Sequence, residues 1–176
     1  CQVDSIIGPP WKRGEWILDV GGGNGRMKKH LAWRDSEYYV VLERKNIKGK
    51  GKYVWGDIDQ PCFKDHSFDL IGCFEVLEHL PYPHDAFCQM DRLLKRGGYL
   101  VLSTPQYWHN HGWPDDYFRY TDSGLRRLAN DAGLEEVALW PMGGPCLMIW
   151  SAIELNFRWI IRFPGIYQLV GWPMVL

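Results

Sequence analysis

Three carboxylates and a glycine cluster are spaced as a nucleoside ligand would need them. Asp19 stands two positions before glycines at 21, 22, 23 and 25, Glu43 eighteen residues past Gly25, and Asp57 fourteen past Glu43. Each acid closes a short apolar or aromatic run: WILDV, EYYVVLE and YVWGD. A carboxylate accepts hydrogen bonds from paired hydroxyls or from an amino group, each charged bond giving about 1.5–3 kcal/mol. Glu43 therefore suits the two hydroxyls of a ribose. Asp57 suits an adenine amino group, with Ile58 beside it to pack on the ring. The glycines let backbone approach a ligand with no Cβ in the way, and a helix beginning just after them offers unpaired N–H groups. A dinucleotide fingerprint would need glycine at 21, 23 and 26, but position 26 is Arg26. A phosphate loop ending in Gly-Lys-Ser/Thr is absent.

A second set, Glu75, Glu78 and His79, has the i, i+3, i+4 spacing that puts side chains on one face of a helical turn. An oxygen nucleophile needs a base or a metal to lose its proton. The reading adopted places Glu75 near the cofactor, keeps Glu78 structural, lets His79 line the substrate pocket, and assigns no metal ligands. The segment QYWHNHGWPDDYFRYT, Gln106 to Thr121, is long, aromatic and polar, which favours a binding lid over a plain connection. It offers His109, His111, Asp115, Asp116 and Tyr117 as bases and Arg119 for an anionic group. His79, His109 and His111 are the catalytic candidates.

These residues need strands to carry them. Trp16–Val20 reads as the first strand, with a helix from Arg26 to Trp33. Glu37–Glu43, Tyr53–Trp55, Phe68–Phe74, Tyr99–Ser103 and Leu134–Trp140 read as further strands. Pro83–Arg96 reads as a helix stopped by Gly97-Gly98, and a second helix starts at Thr121 or Asp122 and ends at Gly133. Strands alternating with helices predict an α/β fold, a Rossmann-like, doubly wound, mostly parallel sheet with helices on both faces. Ligands of such sheets sit at the carboxyl ends of the strands. Residues 1–15 form a lead-in, 16–144 the domain, and 145–176 an apolar extension that packs on the domain, a membrane or a partner.

A length of 176 residues suits one domain, and 46% hydrophobic against 23% charged residues suits a normal core. A net charge of −1 gives no nucleic-acid signal. Five cysteines without metal spacing read as reduced thiols of an intracellular protein. The first residue is Cys1 and the last residues are apolar, so a trimmed chain is expected. The tail carries many large apolar residues and the charges Glu154, Arg158 and Arg162. Its longest uncharged run is too short to span a bilayer.

The pattern Asp-x-Gly-x-Gly-x-Gly at Asp19–Gly25 resembles the first motif of the class I S-adenosylmethionine-dependent methyltransferases. FDLIGCFEVLEHLPYPHDAFCQMDRLLKRGGYLVLSTP is similar to the fourth-to-fifth-strand region of members with a Glu-x-x-Glu-His element. The resemblance runs over residues 16–140. It implies S-adenosyl-L-methionine as cofactor, with Asp19 and Gly21, Gly22, Gly23 and Gly25 at its methionine half, Glu43 on the ribose and Asp57 on the adenine. Phe74 would line the methionine side. Ubiquinone-pathway O-methyltransferases and small-RNA 2′-O-methyltransferases use such acids and a His for a divalent ion, while many other members carry the element without known metal dependence. The lid is similar to a His-x-x-Pro-x-Asp-Tyr-aromatic-Arg-aromatic-Thr element of methyltransferases encoded with surface-polysaccharide enzymes. The expected function is methyl transfer to an O or N atom of a small-molecule or glycan/lipid-linked acceptor. The alternative is a non-catalytic nucleotide-binding or membrane-associated scaffold. The expected place is the cytoplasm, with peripheral membrane contact or a homodimer through 145–176.

Overall fold

The structure is a computed structural model that describes residues 14–25, 28, 38–44, 52–144, 146, 148–150 and 152–153. They divide between two compact units, one within 1–106 and 112–139, the other within 107–111 and 140–176. The first unit holds a five-stranded sheet: β1 Ile17–Val20, β2 Tyr39–Glu43, β3 Lys52–Trp55, β4 Phe68–Phe74 and β5 Leu94–Ser103. Their order is β3-β2-β1-β4-β5, and every neighbouring pair is parallel. The chain winds outward from β1 through β2 to β3, then returns to the other side of β1 for β4. The order therefore reverses between β1 and β4, and open parallel sheets bind ligand at the carboxyl ends beside such a reversal.

Side chains alternate across each strand, and both faces are covered. Leu18, Val20, Leu42, Ile71 and Cys73 pack on one face with Ala86, Phe87, Met90 and Leu93. The last four lie on one side of helix α1, Pro83–Leu93. Ile17, Tyr39, Val41, Leu70 and Val101 form the other face, with Tyr53, Phe74 and Tyr99 partly buried against them. Burial on both faces is why these strands read as near-continuous apolar runs. Helix α2, Asp122–Asp131, is capped by Thr121, whose Oγ1 accepts from the Gly124 amide at 3.1 Å. It sets Leu125, Leu128, Ala129 and Ala132 against the core, as its spacing predicts. Gly133 leaves it at φ +89.

Two expectations are corrected. The helix ends at Leu93 rather than Arg96, and β5 starts at Leu94 rather than Tyr99. Phe68 pairs with Leu94 but Leu70 with Tyr99, so the register slips and residues 95–98 stand out of the ladder. The glycine pair makes this bulge rather than a helix stop: Gly97 sits at φ +75, and a Cβ on Gly98 would lie 2.9 Å from the Lys95 carbonyl oxygen. Residues 134–140 are not a strand. Val137 and Leu139 are exposed, and Glu136 is drawn aside by Arg126 of α2, Nε to Oε2 at 2.7 Å. Of the helix expected over 26–33, Lys28 is described and helical, and the rest lies outside the described residues.

In the second unit, Cys146, Met148–Trp150 and Ala152–Ile153 are helical, with Met148, Ile149, Trp150 and Ile153 exposed. The remainder of the tail lies outside the described residues. Among the described residues, no helix is long and apolar enough to cross a membrane.

Candidate functional site

The glycine turn is fixed from below. Gly21 follows β1 at φ +63, and its amide donates to the Leu42 carbonyl at 2.8 Å. A Cβ at Gly21 would lie 2.5 Å from Val76 Cγ2, and one at Gly22 would lie 2.3 Å from Asp19 Oδ2. Both positions therefore require glycine for space, and Gly21 also for its left-handed backbone. Gly23 and Gly25, at φ +55 and +73, continue the turn.

Asp19 is buried, and its Oδ2 accepts from the Tyr39 hydroxyl. Oδ1 is buried with no hydrogen-bond partner among the described residues. Burial pushes the Asp19 carboxyl up to about 6; the Tyr39 bond works against this and the nearby Glu43 charge adds to it.

Glu43 ends β2 and takes the Gly23 amide on Oε2 at 3.0 Å and the Arg44 amide on Oε1 at 3.1 Å. Its carbonyl accepts the Gly56 amide at 3.1 Å, which ties the ends of β2 and β3 together. Asp57 follows, paired with Arg44 through Nε and Oδ2 at 2.9 Å. Arg44 was not singled out by sequence reasoning, although its place beside Glu43 is the signal that could have found it. Ile58 is 3% exposed and belongs to the hydrophobic core.

Past β4 the chain turns sharply. Glu75 sits at φ +53, outside the helical region, and Oε1 accepts from Ser103 Oγ at 2.6 Å. A short 3₁₀ turn, Leu77–His79, follows. Glu75, Glu78 and His79 therefore do not share one face of an α-helix. Glu78 is fully buried, and Thr104 donates to its Oε2 at 3.4 Å. The Glu78 carbonyl accepts the amides of Tyr117 and Phe118 at 2.9 and 3.3 Å. His79 is bonded through Nδ1 to the Asp115 carbonyl. A carbonyl only accepts, so Nδ1 carries the proton and Nε2 is the basic nitrogen. Nε2 lies 3.8 Å from Glu78 Oε1. Gly112, at φ +73, lies against the ring, and a Cβ there would come within 2.8 Å of Cε1.

Arg119 is already engaged: its two terminal nitrogens meet Asp116 Oδ1 and Oδ2 at 2.7 and 2.9 Å. It is a fixture of the loop rather than an open anion clamp. His109 and His111 belong to the second unit, where Trp108 stacks on His109 at 5.1 Å and His111 Nδ1 lies 3.3 Å from the His109 carbonyl. Phe74 is half-buried against the apolar cluster of Ile17, Tyr39, Val41, Leu70 and Val101.

Comparison with known proteins bears on the family and the fold. Residues 18–102 match the family described as "Methyltransferase domain". The ubiquinone biosynthesis O-methyltransferase of Glaesserella parasuis is 46% identical over 107 residues, covering 52% of this chain and 45% of that protein. The protein of the same name from Idiomarina loihiensis is 28% identical over 155 residues, covering 72% of this chain and 64% of its own length. The chain thus spans about half the length of most of the curated relatives it matches. In fold, an S-adenosylmethionine-dependent methyltransferase from Archaeoglobus fulgidus superposes with a TM-score of 0.62 at 16% identity, over 92% of this chain and 85% of that one.

Proposed function

For a chain that belongs to the class I S-adenosylmethionine-dependent methyltransferases, we propose transfer of the donor's methyl group to an oxygen atom of a small-molecule or glycan/lipid-linked acceptor. One observation carries the cofactor assignment: Asp19, Glu43 and Asp57 end three adjacent parallel strands around a turn where Gly21 and Gly22 leave no room for a Cβ. Asp19 Oδ1, a buried acceptor with no hydrogen-bond partner among the described residues, fits the ammonium group at the methionine end of the donor. Glu43 would hold the ribose hydroxyls and Asp57 the adenine amino group, which competes with Arg44 for that carboxylate. Oxygen rather than nitrogen as acceptor is supported by the relatives named O-methyltransferases.

The bound donor supplies an activated, cationic methyl group, so the protein's share is largely positioning and exclusion of water. His79 is the favoured base. Its tautomer leaves Nε2 to take the acceptor's proton, and Glu78 stands 3.8 Å away to stabilise the charged ring. His109 and His111 remain the further candidates on the loop. The experiment is transfer of labelled methyl from S-adenosylmethionine into a metabolite or cell-envelope extract. Incorporation lost in His79→Gln, with cofactor affinity kept, supports the enzyme. No incorporation by a protein that binds the cofactor supports the scaffold.

We place the protein in the cytoplasm with its apolar extension touching a membrane surface. The exposed Met148, Ile149, Trp150 and Ile153 support that reading.

A further inference from the structure

Beneath the glycine turn lies a polar floor. Asp19 pairs with Val41 across β1 and β2, and Val41 pairs with Tyr53 across β2 and β3. Tyr39 lies two residues before Val41, on the same face. Three polar side chains therefore converge on one patch of an otherwise apolar surface. The Tyr39 hydroxyl donates to Asp19 Oδ2. The Tyr53 hydroxyl is buried with no hydrogen-bond partner among the described residues. A Cβ on Gly25 would stand 3.6 Å from the Tyr53 hydroxyl and 4.0 Å from that of Tyr39, while one on Gly22 would meet both Asp19 oxygens, at 2.3 and 2.9 Å. The turn rests on these groups at both of its ends.

We propose that Tyr39 is a positioning residue for the cofactor. Its hydroxyl holds one oxygen of Asp19 and leaves the other to receive the ammonium group of the methionine end. The inference rests on the cofactor reading given above and concerns a residue that touches Asp19 rather than the ligand.

The surroundings decide the sign. Tyr39 and Glu43 of β2 stand on the same face as Asp19, and Tyr53 of β3 lies beside Tyr39, while Cys73 of β4 feels the Asp19 charge from the opposite face. Lys28 lies over the Tyr39 ring, 5.0 Å from its centre. Burial raises the Asp19 carboxyl, Glu43 raises it further, and the Tyr39 bond is the interaction that favours the carboxylate. The Tyr39 hydroxyl is itself pushed far up by burial and by Asp19, so it remains a donor throughout the working range. The ammonium group of the ligand's amino-acid end prefers ionised Asp19. Below the ionisation point its binding must displace a proton, and affinity falls about tenfold per pH unit.

The test is calorimetric titration with S-adenosylhomocysteine from pH 5 to 7.5. The parent should bind with a break in affinity near pH 6. Tyr39→Phe keeps the ring and removes the bond, so the break should move up by about one unit. A purely packing role would weaken binding equally at every pH. Asp19→Asn should abolish the break. An unmoved break in Tyr39→Phe, or one that survives Asp19→Asn, overturns the proposal. No binding by the parent even at pH 7.5 overturns the cofactor reading itself, and the proposal with it.

Discussion

The Gly23 amide donates to Glu43 Oε2 at 3.0 Å, so the turn after β1 is tied to the end of β2 by the residue that is to hold the ribose. On the proposed reading Glu43 has two duties, one to the loop, which its bond to the Gly23 amide serves, and one to the ligand. Removing it should loosen the turn as well as delete a ligand bond. Glu43→Gln, which keeps one acceptor, should therefore bind S-adenosylhomocysteine more tightly than Glu43→Ala. Calorimetry on both variants reads this directly.

Gly22 is required for a different reason, which is space. A methyl group there would stand 2.3 Å from Asp19 Oδ2, and the obstacle is a buried carboxyl held by Tyr39 rather than a flexible side-chain end. Gly22→Ala is expected to weaken cofactor binding by about tenfold or more, the equivalent of 1.4 kcal/mol or above. Gly23→Ala meets no such steric obstacle within 4 Å among the described residues, only its φ of +55. It should lose less affinity in the same titration.

Asp19 also links stability to pH. Its folded-state value of about 6 lies above the usual 3.8. The folded protein holds this proton through the window from about pH 4 to 6 while the unfolded chain releases it, so stability falls as pH rises through that window. The penalty is fully present above pH 6. Asp19→Asn removes it. In urea unfolding without ligand, the stability of Asp19→Asn relative to the parent should be greater at pH 7.5 than at pH 4, by on the order of 2 kcal/mol.

Much of this was legible in the chain. Apolar runs ending in an acid located β1 to β4, because parallel strands buried on both faces have few polar positions to confuse the reading. The acids at 19, 43 and 57 followed from the same runs. Three features were not legible. Gly97 and Gly98 look alike as a helix stop or as a bulge, and only pairing with β4 separates the two. The helical spacing of Glu75, Glu78 and His79 says nothing of the left-handed backbone at Glu75 that breaks it. Tyr39 reads as an ordinary strand-forming aromatic, and only the register across β1 and β2 brings its hydroxyl to Asp19.

Arg119 illustrates the same difference. In sequence it is a cation on a polar loop; in the structure it is a bidentate partner of Asp116, whose side chain is 5% exposed. Arg119→Ala would strip both of these charged bonds from a buried carboxylate. The variant should lose about 1–3 kcal/mol of stability. Thermal unfolding should register this loss, whereas an anion-clamp role would appear chiefly as a raised KM for the acceptor.

The exposed Met148, Ile149, Trp150 and Ile153 predict attachment to a surface. Vesicles containing anionic lipids should float with the intact chain at low salt and release Trp150→Ala/Trp159→Ala. A folded parent that stays wholly unbound would leave the extension as a core or dimer element.

The central claim is that the carboxyl ends of β1, β2 and β3 hold a methionine nucleoside. Calorimetry at pH 7.5 with S-adenosylmethionine, S-adenosylhomocysteine and NAD tests it most directly. The account predicts binding of both methionine nucleosides, weakened about tenfold or more in Glu43→Ala, and no measurable heat with NAD. Binding of NAD by a folded protein that takes neither methionine nucleoside would contradict it.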